Sequence, residues 1–504
     1  MKQHDFSHQL KVTRMGIDTQ QELVVYMRPD CHVCRSEGFV AQTRVRLSTN
    51  NHYIIAKLNV VNADHLEKNV VGLSDSAWKK LGVSEGDEIG IEHPDYLTSL
   101  SYVRSKIYGN RLPSEEISSI VRDIADGRYS DVHLATFLTA CAGDRLDLLE
   151  IVDLTRSMVD VGETLSWPEQ DIVLDKHCVG GLPGNRTTPI VVSIVAAAGL
   201  SMPKTSSRSI TSPAGTADTM EVLAPVNLGL DEMRSVVNQE GACLVWGGSI
   251  NLSPADDLLI RVERTIDLDS EGQLIASVLS KKIAAGATHV LIDIPLGITA
   301  KLRTEQRAKH LATLFVAVGN ALGIMAVPLI TEGTQPVGNG IGPAQEAQDI
   351  LSVLQRKSDA PADLRKRAVM LAAKLLEISG RFDTEQATLE AEGILNDGRA
   401  WKKFQAICQA QGGLREIPLA EYSAIIRSRA SGLIKSIDNR QLAQIAKLAG
   451  APKAKTAGLK LHKKLDESVM TGEPLMTLYA ATLGELTYAE NYYSKIGDVF
   501  KIEY

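Results

Sequence analysis

The feature that most constrains this chain is a glycine-rich turn between an apolar run and a helix-forming run. Residues 172–174 predict a short buried strand, and residues 189–199 predict a helix. Between them, residues 175–188 read DKHCVGGLPGNRTT and contain a lysine, an imidazole, three glycines and two hydroxyls. Backbone N–H groups in such a turn can approach an anion, and the N-terminus of the following helix favours negative charge. The arrangement predicts a phosphate-binding turn in an α/β domain.

A second turn with similar chemistry follows at residues 205–218. It reads TSSRSITSPAGTAD, which places hydroxyls around one arginine, and it leads into another helical pattern. Neither turn has the common phosphate-loop motifs G-x-x-x-x-G-K-[ST] or G-x-G-x-x-G. A solvated serine-rich loop would not need two such turns in succession, so we expect both to contact phosphate or ribose oxygens.

The composition and charge of the chain argue against several classes of protein. The chain has 504 residues and a net charge of −7, which argues against a general nucleic-acid binder. No apolar run approaches the roughly 20 residues of a membrane helix, and the first residues form no signal peptide, so we expect no membrane partner. Six scattered cysteines indicate reduced thiols and a cytoplasmic protein.

The pair Cys31-x-x-Cys34 lacks a second Cys/His pair at similar spacing, so we expect no metal site. Whether the pair binds anything stays open.

Several long motifs resemble one known family. The segments DKHCVGG-LPGN and SSRSITSPAGTADTMEVLAPV closely resemble the thymidine phosphorylase family, especially its long-chain branch, which includes AMP phosphorylases. Residues 275–282, 331–338 and 450–452 match further family segments in order. The resemblance implies a pentosyltransferase that uses inorganic phosphate to cleave the N-glycosidic bond of a nucleoside (thymidine by family default) or of a nucleoside 5′-monophosphate. The products would be the free base and (deoxy)ribose 1-phosphate or ribose 1,5-bisphosphate. The resemblance implies no cofactor, and it implies a homodimer or larger homo-oligomer.

The periodicity and the resemblance together predict an α/β fold with four parts. Alternating residues at 43–47 and 53–58 predict a hairpin in a β-rich domain at 1–92, which the resemblance implies is a small barrel-like domain. A helical domain is expected to be discontinuous, at 93–168 and 252–286. The large central α/β domain would comprise 169–251 and 287–430, and residues 431–504 a C-terminal α+β portion. Two domains joined by several crossings would form a cleft that can close.

The chemistry of the two turns and the resemblance together predict the site residues. The phosphate-binding residues would be Lys176, Gly180, Gly181, Thr188, Ser206 and Thr216. The substrate-binding residues would be Ser207, Arg208, Ser209, Ile210, Thr211, Ser212, Ser277, Lys281 and Lys301. The catalytic residues would be Lys176, His177 and Asp269, of which Asp269 matches the proton donor of the AMP-using branch.

Other positions are ambiguous or depart from the family. Arg261 and Arg264 both lie near the position of the family's base-contacting arginine, and the spacing does not decide between them. Cys178 replaces a serine that nucleoside-specific relatives often have, which would weaken one hydroxyl contact. Ser277 and Lys281 are four residues apart, so a helix would place them on one face.

Alternative interpretations stay open. A transferase similar to anthranilate phosphoribosyltransferase would need metal-bound pyrophosphate, and no acidic pair is evident beside the first turn. A non-catalytic nucleotide sensor would bind the ligand without releasing a base. At the residue level, Lys281 and Lys282 could form a solvated helix end, and Asp269 could be a surface residue in an acidic turn. Some hydroxyls of the second turn could only cap the following helix.

Overall fold

The computed structural model describes residues 8–19, 22–50, 52–209, 212–266, 268, 270–497 and 499–503. The chain divides into two compact units. The first comprises Met1–Ser105 and Arg122–Leu134, and the second Lys106–Val121 and Ala135–Tyr504. Every helix in the described ranges is too short or too polar to cross a lipid bilayer.

The first unit contains a closed barrel of six strands in the order β1-β5-β2-β4-β3-β6. The strands are β1 (Gln9–Arg14), β2 (Val24–Met27), β3 (Arg44–Ser48), β4 (Tyr53–Val60), β5 (Val70–Leu73) and β6 (Glu88–Glu92), with helices α1 (His32–Glu37) and α2 (Asp75–Leu81). The predicted hairpin is the antiparallel pair β3 and β4, and the expected small barrel is confirmed. Alternate strand residues such as Val45 and Leu47 are fully buried and fill its interior.

Cys31 and Cys34 lie at the start of α1 in this unit. The Cys31 sulfur accepts a hydrogen bond from the Cys34 backbone nitrogen (3.2 Å) and so caps the helix. The side-chain contact with Cys34 lowers the pKa of Cys31 to about 6. In the part of the chain that the structure describes, no three His, Cys, Asp or Glu side chains are grouped so that they could hold a metal ion.

A helical region follows the barrel. Its helices are α3 (Ser99–Ile107), α4 (Ser114–Ala125), α5 (Asp131–Ala140) and α6 (Leu148–Asp160). Asp147 and Glu150 form a reciprocal capping box at the start of α6.

A parallel sheet forms the centre of the second unit. The elements along the chain are β7 (Leu174–Cys178), α7 (Thr188–Ala197), β8 (Met202–Ser206), α8 (Thr216–Leu223), α9 (Leu230–Glu240), β9 (Ala242–Trp246), α10 (Pro254–Ile266), α11 (Glu271–Ala284), β10 (His289–Leu296), α12 (Glu305–Ala321) and β11 (Met325–Glu332). Strand β10 pairs in parallel with β7 and β11, and β8 pairs in parallel with β9. A backbone hydrogen bond from Leu174 to Ser201 (2.9 Å) connects the two groups. The carboxyl ends of parallel strands therefore meet at one edge, where such sheets bind ligands.

The position of β7 corrects the sequence analysis. The strand was predicted at residues 172–174, with the turn beginning at Asp175, but β7 spans residues 174–178. Its pairing with residues 289–293 of β10 extends the strand through Lys176 and His177. Asp175 and Lys176 are tolerated in this buried strand because their charged groups have partners, which the apolar pattern could not show.

The rest of the second unit comprises four helices and a mixed C-terminal portion. The elements are β12 (Gly340–Ile341), α13 (Pro343–Leu354), α14 (Ala362–Ile378), α15 (Thr384–Asn396), α16 (Arg399–Ala410), β13 (Tyr422–Arg427), β14 (Gly432–Ile437), α17 (Asn439–Leu448), β15 (Gly458–Leu461), β16 (Ser468–Val469), β17 (Pro474–Ala480), α18 (Leu483–Ile496) and β18 (Phe500–Glu503). Helices α7, α14, α15 and α16 share one apolar core with the sheet. This core includes residues of β7 and β8 and so holds the carboxyl ends of both strands in place.

Candidate functional site

A cavity of about 740 Å³ lies at the carboxyl ends of β7, β8 and β9, within the second unit. All the predicted site residues that the structure describes line it: Lys176, His177, Gly180, Gly181, Thr188, Ser206, Ser207, Arg208, Ser209, Ser212, Thr216, Ser277, Lys281 and Lys301. Ile210, Thr211 and Asp269 lie outside the described residues. The fold therefore brings together segments that are far apart in sequence, while the role of each residue stays a prediction.

Lys176 lies at the base of the first turn. Its ammonium group donates to the Thr187 hydroxyl (2.8 Å) and to the Thr188 hydroxyl (3.5 Å). The side chain is only 1% exposed, and this burial lowers the pKa of Lys176. A buried cation beside two hydroxyls, at a helix N-terminus, is suited to hold a phosphate group.

The glycines of the first turn allow close packing of the backbone. Gly180 and Gly181 have φ angles of 97° and 82°, which favour glycine. A β-carbon on Gly181 would lie 2.9 Å from the backbone nitrogen of Lys301. The turn therefore packs directly against the loop that carries Lys301.

His177 is half-buried in the cavity wall and is surrounded by cations. Burial lowers the pKa of His177 well below its ordinary value, and the charges of Lys282, Lys204, Lys176 and Lys281 lower it further, in that order. The imidazole is therefore neutral at neutral pH. In this state it can donate or accept a hydrogen bond, but it carries no additional proton to give to a leaving base.

Cys178 is a neutral thiol. Its sulfur accepts a hydrogen bond from the Asn185 side-chain amide (3.2 Å), and burial raises the pKa of Cys178 to about 11. The amide of Asn185 also donates to Asp293 (3.3 Å). Cys178 is thus held within a polar network in the cavity wall and is a poor nucleophile.

Arg208 of the second turn lines the cavity, but its guanidinium group is engaged by acidic side chains. It donates twice to Glu221 (2.8 and 2.9 Å) and once to Asp218 (3.3 Å). It also lies over the Trp246 ring, with its central carbon 4.8 Å from the ring centre. A substrate phosphate would have to compete with Glu221 for this side chain.

The hydroxyls of the second turn fall into two groups. The Ser206 hydroxyl is buried and has no hydrogen-bond partner among the residues described, so a ligand can satisfy it. Ser209 donates to the carbonyl of Ser212, and Ser212 donates to the carbonyl of Ala214. These two hydroxyls are used within the turn, and neither caps the following helix, whose N-cap residue is Gly215.

The helical side of the cavity contains a buried carboxylate that joins two predicted base-binding residues. Asp256 accepts a hydrogen bond from Ser277 (2.9 Å) and pairs with the Lys281 ammonium (2.5 Å). Ser277 and Lys281 lie on one face of α11, as their spacing predicts. Burial opposes the charge of Lys281, but the carboxylates of Asp256 and Asp257 outweigh it and raise the pKa of Lys281.

The neighbouring helix α10 concerns two questions that the sequence left open: whether an acidic pair lies near the site, and whether Arg261 or Arg264 is the base-contacting arginine. Asp257 lines the cavity beside the buried Asp256, so an acidic pair is present, although on the helical side. Lys281 pairs with both carboxylates, at 2.5 and 3.9 Å. Arg261 and Arg264 lie on the same helix, and the choice between them stays open.

Sequence reasoning missed a buried charge cluster beneath the cavity. Asp175, Lys204 and Lys282 are 1%, 4% and 3% exposed, and both lysines pair with the one carboxylate, at 3.1 and 2.8 Å. The alternative that Lys282 belongs to a solvated helix end is therefore wrong. No local pattern could have revealed this cluster, because its members lie on β7, β8 and α11.

The C-terminal portion also reaches the cavity, which was not predicted. Helix α17 contributes Asn439, Arg440, Ala443, Gln444 and Lys447 to the lining. The buried Asn439 amide donates to the Thr299 hydroxyl (3.0 Å) and to the Gly333 carbonyl (3.1 Å). It thereby fixes the loop that leads to Lys301.

Comparison with known families gives three matches along the chain. Residues 170–401 match the α/β domain of a glycosyl transferase family, and residues 100–162 match the helical bundle domain of that family. Residues 433–496 match the pyrimidine nucleoside phosphorylase C-terminal domain.

Close relatives and one solved structure agree with these matches. "Putative thymidine phosphorylase 2" of Acidovorax sp. (strain JS42) is 56% identical over 495 residues, which cover 98% of this chain and 96% of the relative. "Putative thymidine phosphorylase" of Legionella pneumophila (strain Corby) is 56% identical over 483 residues, covering 96% and 93%. Anthranilate phosphoribosyltransferase from Thermus thermophilus has a similar fold, with a TM-score of 0.52, 18% identity, and coverage of 61% of this chain and 98% of that one. From the length and identity of the matches to the two relatives, the chain belongs to the thymidine phosphorylase family of glycosyl transferases.

Proposed function

We propose that this protein uses inorganic phosphate to cleave the N-glycosidic bond of a nucleoside or a nucleoside 5′-monophosphate. The observation that carries the proposal is that one cavity holds the two anion-directed turns and, on its helical side, Ser277 and Lys281. The family membership and the names of the relatives support the same reaction class. Phosphate is the only co-substrate that the reaction needs.

In this reaction a phosphate oxygen forms a bond to the anomeric carbon, while the bond from that carbon to the base nitrogen breaks. The base leaves with the electron pair and takes up a proton. The phosphate would be oriented by Lys176, Ser206 and Thr216. Because these polar groups are in place before the reaction, they would stabilise the charge that develops in the transition state. Ser277 and Lys281 would bind the departing base.

The proton for the base would come from Asp269. His177 is a less suitable acid because its imidazole is neutral in this environment. A neutral imidazole at the cavity wall can instead orient the sugar or the base through a hydrogen bond.

We also infer that a 5′-phosphate is accepted in addition to the plain nucleoside, with thymidine as the family's default. The second turn places Ser206, Ser207 and Arg208 in the cavity lining, and Lys301 adds a cation to the same lining. Arg208 could bind the 5′-phosphate through two hydrogen bonds once Glu221 is displaced. The product would then be ribose 1,5-bisphosphate rather than a pentose 1-phosphate.

The test is a panel of nucleosides and 5′-monophosphates, each incubated with protein and phosphate and assayed for free base. A sensor would bind these compounds without releasing base, and a phosphoribosyltransferase would require pyrophosphate chemistry. Specificity constants for each nucleoside and its monophosphate are then compared in the wild type and in Arg208→Ala. If the nucleoside is favoured and Arg208→Ala affects both substrates alike, the nucleotide part of the proposal fails.

A further inference from the structure

We propose that Lys282 is a positioning residue that sets the distance between the base-binding helix and the phosphate-binding strands. The inference rests on the proposed function, because it assigns those two sides of the cavity their ligands. Lys282 follows Lys281 directly on α11, but its side chain turns away from Asp256 and towards the central sheet.

The Lys282 ammonium contacts both phosphate-binding strands at equivalent points. It pairs with the Asp175 carboxylate on β7 (2.8 Å), and it donates to the Thr205 carbonyl on β8 (3.5 Å). Asp175 immediately precedes Lys176, and Thr205 immediately precedes Ser206. One side chain from α11 therefore reaches each strand one residue before its first predicted phosphate-binding side chain.

Burial makes this link restrictive. Lys282 is 3% exposed and Asp175 is 1% exposed, so both charged groups rely on protein partners rather than on solvent. Separating a buried ion pair leaves an uncompensated charge, which opposes any displacement of α11 from β7. Since α11 also carries Ser277, the same link holds the base side in register with the phosphate side.

Lys204 provides a matched control within the same cluster. It is also a buried lysine, it pairs with the other oxygen of Asp175 (3.1 Å), and it also donates to the Thr205 carbonyl. It lies on β8 itself, however, so its bonds to Asp175 and Thr205 do not reach α11. Lys204 thus shares the acceptors of Lys282, which it also repels, without using them to link α11 to the sheet.

The experiment compares Lys282→Met with Lys204→Met in the full-length protein. Each variant removes one buried lysine amine and leaves Asp175 with one lysine partner. We expect Lys282→Met to lower kcat by about 100-fold, the effect of a misplacement of about 1 Å between reacting groups. We expect equilibrium binding of phosphate alone to change equally little in both variants, and Lys204→Met to keep a kcat close to that of the wild type.

A readout independent of activity is amide hydrogen exchange in residues 271–284. Lys282→Met should speed exchange in α11 relative to Lys204→Met, because only the former releases the helix from the sheet. If Lys282→Met does not fold, Lys282→Gln, which retains a hydrogen-bond donor, takes its place.

Equal losses of kcat in the two variants would show an electrostatic effect and overturn the positioning role. Unchanged kcat and unchanged exchange in the Lys282 variant would overturn it as well. A wild-type protein that releases no base from any substrate would instead refute the proposed function, and the exchange comparison would still decide whether Lys282 restrains α11.

Discussion

Gly181 has no room for a side chain, because a β-carbon there would lie 2.9 Å from the backbone nitrogen of Lys301. The first turn and the Lys301 loop therefore form a single packed surface. At Gly180, one residue earlier, nothing lies within 4 Å of an added β-carbon. Substitutions at the two neighbouring glycines can therefore distinguish the effect of backbone strain, which both share, from the effect of contact with the Lys301 loop, which only position 181 has.

We expect Gly181→Ala to raise KM for the substrate and Gly180→Ala to leave it nearly unchanged. Both positions have positive φ angles, so the backbone conformation alone should cost an alanine about 1–2 kcal/mol of stability at either one. Only at position 181 must the Lys301 loop move. Steady-state kinetics and thermal unfolding of the two variants test this, and an equal rise in KM would exclude the contact as the cause.

Replacement of Lys176 should remove most of the catalysis. Lys176→Met preserves the volume of this buried side chain, so we expect a folded protein with kcat/KM lowered roughly 10²–10³-fold, as for the loss of one preorganised donor. Lys176→Ala should in addition lose about 2–5 kcal/mol of stability, because it leaves a cavity in a buried site. Turnover like that of the wild type in Lys176→Met would remove this lysine from the mechanism.

Glu221→Gln should shift specificity towards the 5′-monophosphate. Hydrogen bonds from Arg208 lower the pKa of Glu221 to about 2, so a substrate phosphate must displace an ionised carboxylate. A neutral amide is a weaker competitor, and we expect the monophosphate-to-nucleoside ratio of specificity constants to rise about tenfold. The effect should vanish when Arg208→Ala is added, and its persistence in the double variant would show that Arg208 does not mediate it.

Asp349 should make stability depend on pH. This buried carboxylate accepts hydrogen bonds from the backbone of Asn339 (2.6 Å) and Gly340 (2.7 Å), yet burial raises the pKa of Asp349 from 3.8 to about 6. Because the folded pKa exceeds the unfolded pKa, the folded state binds the proton more tightly. The resulting stabilisation is complete below about pH 4 and is lost as the pH rises through about 6.

The measurement is the free energy of unfolding of the wild type and of Asp349→Asn between pH 4 and 7.5. Across this range the wild type should lose about 2–3 kcal/mol relative to the variant. A difference that does not vary with pH would contradict the raised pKa.

The parts of the fold that could be predicted are those with local signals. The turn between β7 and α7 was recognisable because its glycines, hydroxyls and flanking apolar runs lie within thirty residues of one another. The face shared by Ser277 and Lys281 followed from helix geometry alone. In contrast, the location of β7 depends on pairing with β10, which the apolar residues at 172–174 did not show.

The parts that could not be predicted are contacts between distant elements. The role of Asp175 as partner of both Lys204 and Lys282 exists only once β7, β8 and α11 are assembled. Similarly, nothing near Arg208 in the sequence indicates that its guanidinium group would donate hydrogen bonds to Glu221. Charged residues give no periodic signal of burial, so their partners become known only from the folded chain.

The strand order has a consequence for synthesis of the protein on the ribosome. Leu174 of β7 pairs with His289 of β10, so β7 is made long before its partner. At translation rates of roughly 5–20 residues per second, nascent β7 would wait about 6–23 s with one edge unpaired. Charges within a strand discourage pairing with other chains during such a delay. Asp175 and Lys176, whose charges are paired inside the folded protein, would therefore also protect the newborn strand from aggregation.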